Sequence, residues 1–92
     1  MSDGAEAGVP RLRPGVKFRF DAVRDAWVLL APERLFLPDA PAIEVLKLID
    51  GARSTGAIID DLAARFTAPR ATIAADVSLL LRDLAEKGAV AL

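Results

Sequence analysis

The 92-residue sequence predicts an α+β domain in which a small three-stranded antiparallel sheet is followed by three helices. Two observations carry this prediction. Apolar residues alternate with period two as far as Leu37, then recur with period 3.6 after Pro38. Proline, glycine and aspartate fall at the joints between the periodic runs, where turns and caps need them. A chain of this length makes one domain with a modest core.

Met1–Pro10 is small, polar and helix-breaking, and reads as a disordered tail before a domain spanning residues 11–92. Arg11–Pro14 is a proline-bounded lead-in. Val16, Phe18 and Phe20 then share one face and Lys17 and Arg19 the other, the alternation of a half-buried first strand. Asp21–Asp25 supplies turn residues. The second strand, Trp27–Ala31, is apolar on both faces and should be covered on both. The third, Arg34–Leu37, places Leu35 and Leu37 on one face and Arg34 and Phe36 on the other. Its brackets, Pro32 and Pro38, favour a sheet edge. Such an edge is either guarded against pairing or kept open for one chosen peptide.

Asp39 suits a helix N-cap with Pro41 in the first turn, and Ala42, Val45, Leu46 and Ile49 form the buried stripe up to Asp50-Gly51. Ser54 or Thr55 caps the second helix, whose stripe is Ile59, Leu62, Ala63 and Phe66. After the breaker Thr67–Pro69 the third helix runs from about Arg70 to Lys87, with Gly88 as its stop and a short apolar end, Ala89–Leu92, that suits extended backbone.

The third helix carries three consecutive leucines, which fan over roughly 200°. With Val77 at the centre of the core stripe, Ile73, Leu80, Leu81 and Leu84 lie within about 60° of it, while Leu79 points about 160° away, beside Arg82 and Glu86. Leu79 is an incidental exposed leucine, a dimer contact or a partner contact. One flank of this helix carries Ala74, Ser78, Leu81 and Ala85, the other Ile73, Asp76, Leu80, Asp83 and Lys87. Small residues on the first would admit a close partner, and the acids on the second would suit basic groups.

Composition narrows the function. Formal charge is −1, and the chain has no cysteine, histidine or tyrosine. Disulfides, thiolate chemistry, imidazole bases and the usual transition-metal sites are excluded, which points to a non-catalytic binding protein without a cofactor. Neither Asn nor Gln occurs, and the outer face of the third helix offers one base against two acids. A winged-helix DNA-binding regulator is therefore disfavoured against a binding or docking domain. No signal peptide and no membrane-spanning run is evident, so neither nucleic acid nor membrane is an expected partner and the expected location is cytoplasmic. Arg11, Arg13, Lys17 and Arg19 form the one local basic cluster, with no acid between Ala7 and Phe20. It is either a solvated strand face or a docking patch for an acidic partner.

Three stretches, WVLLAPE (Trp27–Glu33), LPDAPAIEVLKLIDG (Leu37–Gly51) and ADVSLLLRDLAEKGAV (Ala75–Val90), occur in an order and spacing that resembles the PqqD family, the small peptide chaperones of pyrroloquinoline quinone (PQQ) biosynthesis. The resemblance spans about Arg11–Leu92. It implies a winged-helix-like RiPP recognition element, in which the precursor peptide PqqA adds as a strand along the third strand and lies in the groove beside the third helix. It further implies presentation of that peptide to the radical SAM enzyme PqqE, which crosslinks a Glu and a Tyr. Carried onto this chain, the peptide-binding candidates are Arg34, Leu35, Phe36 and Leu37 of the strand and Ile73, Asp76, Val77, Leu80, Leu81 and Asp83 of the helix. Arg11, Arg13, Lys17, Arg19, Leu79 and Arg82 are the candidates for enzyme docking. The alternative is a dimerisation or docking domain without a peptide ligand. A monomer or weak dimer is expected, strand exchange included.

Overall fold

The computed structural model describes residues 6–92. Its elements in chain order are β1 (Arg11–Leu12), β2 (Lys17–Asp21), β3 (Ala26–Ala31), β4 (Arg34–Phe36), α1 (Ala40–Leu46), α2 (Thr55–Phe66), α3 (Arg70–Glu86) and β5 (Val90–Ala91). The three strands expected from the alternation form an antiparallel sheet in the order β2-β3-β4, followed by the three helices in a winged-helix-like arrangement. The lead-in and the apolar end add a second, two-stranded sheet, with Arg11 opposite Ala91 and Leu12 opposite Val90.

Local chemistry explains each joint. Between β1 and β2, Pro14 and Gly15 (φ +85°) occupy the centre of a turn in which the Val16 N–H donates to the Arg13 carbonyl at 3.0 Å. Only glycine takes that φ at no steric cost, and proline presets the position before it. Asp21 closes the next turn by accepting from the Val23 and Arg24 N–H groups at 3.0 and 3.2 Å. β3 and β4 are joined by Pro32-Glu33 alone, with Ala31 opposite Arg34 and Leu29 opposite Phe36. The ladder ends at Phe36, one residue before the expected limit, because Pro38 lacks an N–H and the chain turns there into the α1 cap.

Asp39 caps α1 by accepting from Ala42 N–H at 3.0 Å. Ser54 caps α2 through a bond from Ala57 N–H at 3.1 Å. Helix α1 is shorter than its apolar stripe: after Leu46 the chain continues in tighter turns, Leu48 N–H donating to Val45 and Ile49 N–H to Leu46. Helix α3 closes as a Schellman motif, with Gly88 at φ +81° and Ala89 N–H bonded to the Leu84 carbonyl at 2.9 Å. Among the described residues no helix is long and apolar enough to cross a membrane.

The core joins the inner face of the sheet to all three helices through Leu29, Val45, Leu46, Ile58, Ile59, Leu62, Val77, Leu81 and Leu84, with Val90 of β5 beneath them. Val28 and Leu29, adjacent in β3 and pointing to opposite faces, are both fully buried. The middle of the central strand is thus covered on both sides, as its apolar run suggests. Trp27 sits at the sheet margin, stacked on Phe18 with ring centroids 4.8 Å apart and met edge-on by Phe20 at 5.7 Å. The α2 stripe is rotated from the expected one: Ile58 takes the buried place given to Phe66, which is 53% exposed at the end of the helix.

Of the expected disordered tail, Met1–Ala5 lie outside the described residues. Glu6–Pro10 is instead docked across the start of α2 and α3. Pro10 is fully buried, the Gly8 carbonyl accepts from Thr55 N–H at 2.8 Å, and Arg70 joins Glu6 (2.8 Å) to Asp60 (2.6 Å). The Arg70 hydrogen bond holds the Glu6 carboxyl below its ordinary value. A carboxylate whose folded pKa is depressed contributes stability above its unfolded pKa and loses it as the pH falls through the folded value. Acidification below about pH 4 is therefore expected to release this segment before the core melts. Amide exchange tests it: Thr55 should lose protection relative to Val77 between neutral pH and pH 3, and equal protection throughout would contradict the docking role of Glu6.

Candidate functional site

The sheet has two edges, β2 and β4. The outer face of β2 carries Lys17 and Arg19, charges of the kind that guard an edge against pairing. β4 is short, and its outer face carries Leu35, which is exposed. In an antiparallel pair, hydrogen-bonded and non-bonded positions alternate. Ala31 and Arg34 flank the two-residue loop and form a bonded pair, as do Leu29 and Phe36 two residues on. Leu35 lies between them and turns its own N–H and C=O to the open edge.

Where β4 passes into α1 an apolar cavity of about 610 Å³ begins, walled by the start of α1, the end of α2 and one flank of α3. Of the candidate residues on α3, Ile73, Asp76, Val77 and Leu80 line it. Val77 is buried at its floor, Ile73 and Leu80 are half-buried, and Asp76 is exposed. The cavity therefore opens on the flank that carries Ile73, Asp76 and Leu80. Asp83, on the same flank, is paired with Lys87 at 2.9 Å and does not line the cavity. Leu81 is 2% exposed and belongs to the core; its free side borders a second cavity of about 320 Å³ with Pro10, Ser78, Arg82 and Leu92.

The strand candidates stand beside this cavity rather than in its wall. Arg34 lies over the Phe36 ring at 4.8 Å, Phe36 packs on the core, and Leu37 is exposed just past the ladder. Asp39–Ala42, Glu44, Val45, Leu62 and Phe66 complete the lining and were not among the candidates. Phe66 was read as part of the buried stripe of α2; with Ile58 in that place it is left to line the cavity. Leu79 is 64% exposed on the far side of α3. Arg11, Arg13, Lys17, Arg19 and Arg82 are exposed and make no ion pair among the described residues.

Fold and site together define the class: a small winged-helix-like domain whose open edge strand adjoins an apolar groove under its third helix. The chain belongs to the PqqD family, whose model, described as coenzyme PQQ synthesis protein D, matches residues 26–90. It is 55% identical to the PqqA binding protein of Rhodopseudomonas palustris BisB5 over 84 residues, 91% of this chain and 82% of that one. Among solved structures it is similar to the PqqD truncation of Methylobacterium extorquens PqqCD, determined by solution NMR and described as a functional, stand-alone RiPP recognition element. That match has a TM-score of 0.74 and 43% identity over the whole of both chains. It is also similar to crystalline PqqD from Xanthomonas campestris, with a TM-score of 0.57 and 43% identity over 83% of this chain and 84% of that one.

Proposed function

We propose that this chain is a non-catalytic peptide chaperone of PQQ biosynthesis, which captures the precursor PqqA and presents it to the radical SAM enzyme PqqE. The observation that carries the reading is the open backbone edge of β4 at Leu35 beside the apolar cavity under α3. Relatives named PqqA binding proteins support the choice of peptide. PqqA adds as a strand along β4, with backbone bonds giving affinity and the cavity selecting side chains. The cations Arg11, Arg13, Lys17 and Arg19, unpaired among the described residues, offer charge to an acidic face of PqqE, with Arg82 and Leu79 on the far side of α3 as a further contact.

Titration of isotopically labelled protein with synthetic R. palustris BisB5 PqqA is expected to shift the amides of Arg34–Leu37, Ile73, Asp76 and Leu80 in a saturable way. Addition of PqqE should then broaden the signals of Arg11–Arg19. Reversing Arg11, Arg13, Lys17 and Arg19 together to Glu should weaken the enzyme contact and leave peptide affinity unchanged. Peptide shifts confined to β2, or no saturable binding, would overturn the β4 assignment.

A further inference from the structure

Three carboxylates line the cavity, and only one has no work inside the molecule. The Asp39 side chain caps α1. Glu44 is held by Lys47 at 3.7 Å and by Arg65 at 3.4 Å. Asp76 makes no hydrogen bond and no ion pair among the described residues. Asp83, its counterpart two turns along α3, is neutralised by Lys87. Of the cavity's carboxylates, Asp76 alone has neither a hydrogen bond nor a cation among the described residues, and it is flanked by Ile73, Val77 and Leu80.

A peptide lying in this cavity takes water away from the Asp76 carboxylate. Such a charge is costly against an apolar or acidic neighbour and is compensated by a cation. Beside the cavity, on β4, Arg34 lies over the Phe36 ring and carries the opposite sign. A cationic side chain is thus drawn to α3 rather than to the strand. The geometry points to Asp76 as the residue that selects a lysine or arginine of the bound peptide, while neighbouring apolar side chains of the peptide fill the cavity. The assignment rests on the peptide reading of the groove.

The test pairs charge changes on the two molecules. Wild type, Asp76→Asn, Asp76→Lys and Asp83→Asn are titrated with synthetic BisB5 PqqA and with variants in which each of its Lys and Arg residues is replaced by Glu in turn. Asp76→Asn is expected to weaken binding about fivefold, the size of a partly desolvated ion pair, and Asp76→Lys to weaken it further. Asp83→Asn should bind as wild type. One Glu replacement in the peptide should bind Asp76→Lys more tightly than unmodified PqqA does, identifying the cation. Wild-type affinity for Asp76→Asn, or the same loss on Asp76→Lys for every peptide, would overturn the assignment. A flat Asp76 series on a peptide that Leu35→Pro rejects removes only this selectivity. Equal binding by Leu35→Pro removes strand addition itself.

Discussion

Leu35→Pro is expected to weaken PqqA binding by roughly 30- to 100-fold while leaving the domain folded. The β3–β4 register places Leu35 between two bonded pairs, so its N–H faces the open edge and carries no bond within the sheet. Proline is tolerated at such a position, where its ring meets solvent and removes no ladder bond. For an added strand the change is severe. One backbone bond is lost, a peptide carbonyl is left unpaired, and the ring occupies the approach. Together these cost about 2–3 kcal/mol. Phe36→Pro should behave differently, because Phe36 is bonded to Leu29 and its loss breaks the sheet. Calorimetric titration with a circular-dichroism melt separates the two cases. Unchanged affinity in a folded Leu35→Pro protein would mean that the peptide lies elsewhere.

Leu29→Ala should have the largest effect on stability, about 2–5 kcal/mol. Leu29 is fully buried at the centre of β3, paired across the ladder with Phe18 and Phe36 and packed into the shared core. A domain of this size is held by only about 5–14 kcal/mol, so much of its stability rests on that one side chain. At roughly 4–8 °C per kcal/mol, Tm is expected to fall by about 8–40 °C. Leu79→Ala is the control. Its side chain is exposed on the far face of α3, and the cost should be within about 0.5 kcal/mol. Thermal melts of the two variants decide it, and a shift for Leu79→Ala comparable with that of Leu29→Ala would put Leu79 in a contact not described above.

Features written in a few neighbouring residues were legible in the sequence. The caps Asp39 and Ser54, the Asp21 turn, the Gly88 stop and the edge position of Arg34–Phe36 all depend on local chemistry. The leucine fan was legible for the same reason: a constant helical step separates exposed Leu79 from buried Leu81 two positions later. Pairing over distance was not. β1 and β5 are two residues each and find one another from opposite ends of the chain, too short for any alternation to register. The docking of Glu6–Pro10 depends on Thr55 and Arg70 far along the sequence. The end of α1 was misjudged because Leu48 and Ile49 stay on the core side through tight turns, which an apolar stripe does not distinguish from α-helix. The cavity was hidden for a related reason. It arises where the ends of two helices meet a third, and most of its lining lies on α1 and α2, which local patterns read only as core. Sequence narrowed the choice on α3 to two flanks, and packing against α1 and α2 places the opening on one of them.

The β1–β5 pair has a consequence for how this domain can be joined to others. Arg11 lies directly across from Ala91, while the segment before it, Glu6–Pro10, is held along α2 and α3 by the Gly8–Thr55 and Glu6–Arg70 contacts. A domain joined ahead of Glu6 would therefore be tethered at the start of α3, and one joined after Leu92 beside β5. Its effective concentration at the β4 edge would depend on which end carries it as well as on the length and stiffness of the tether.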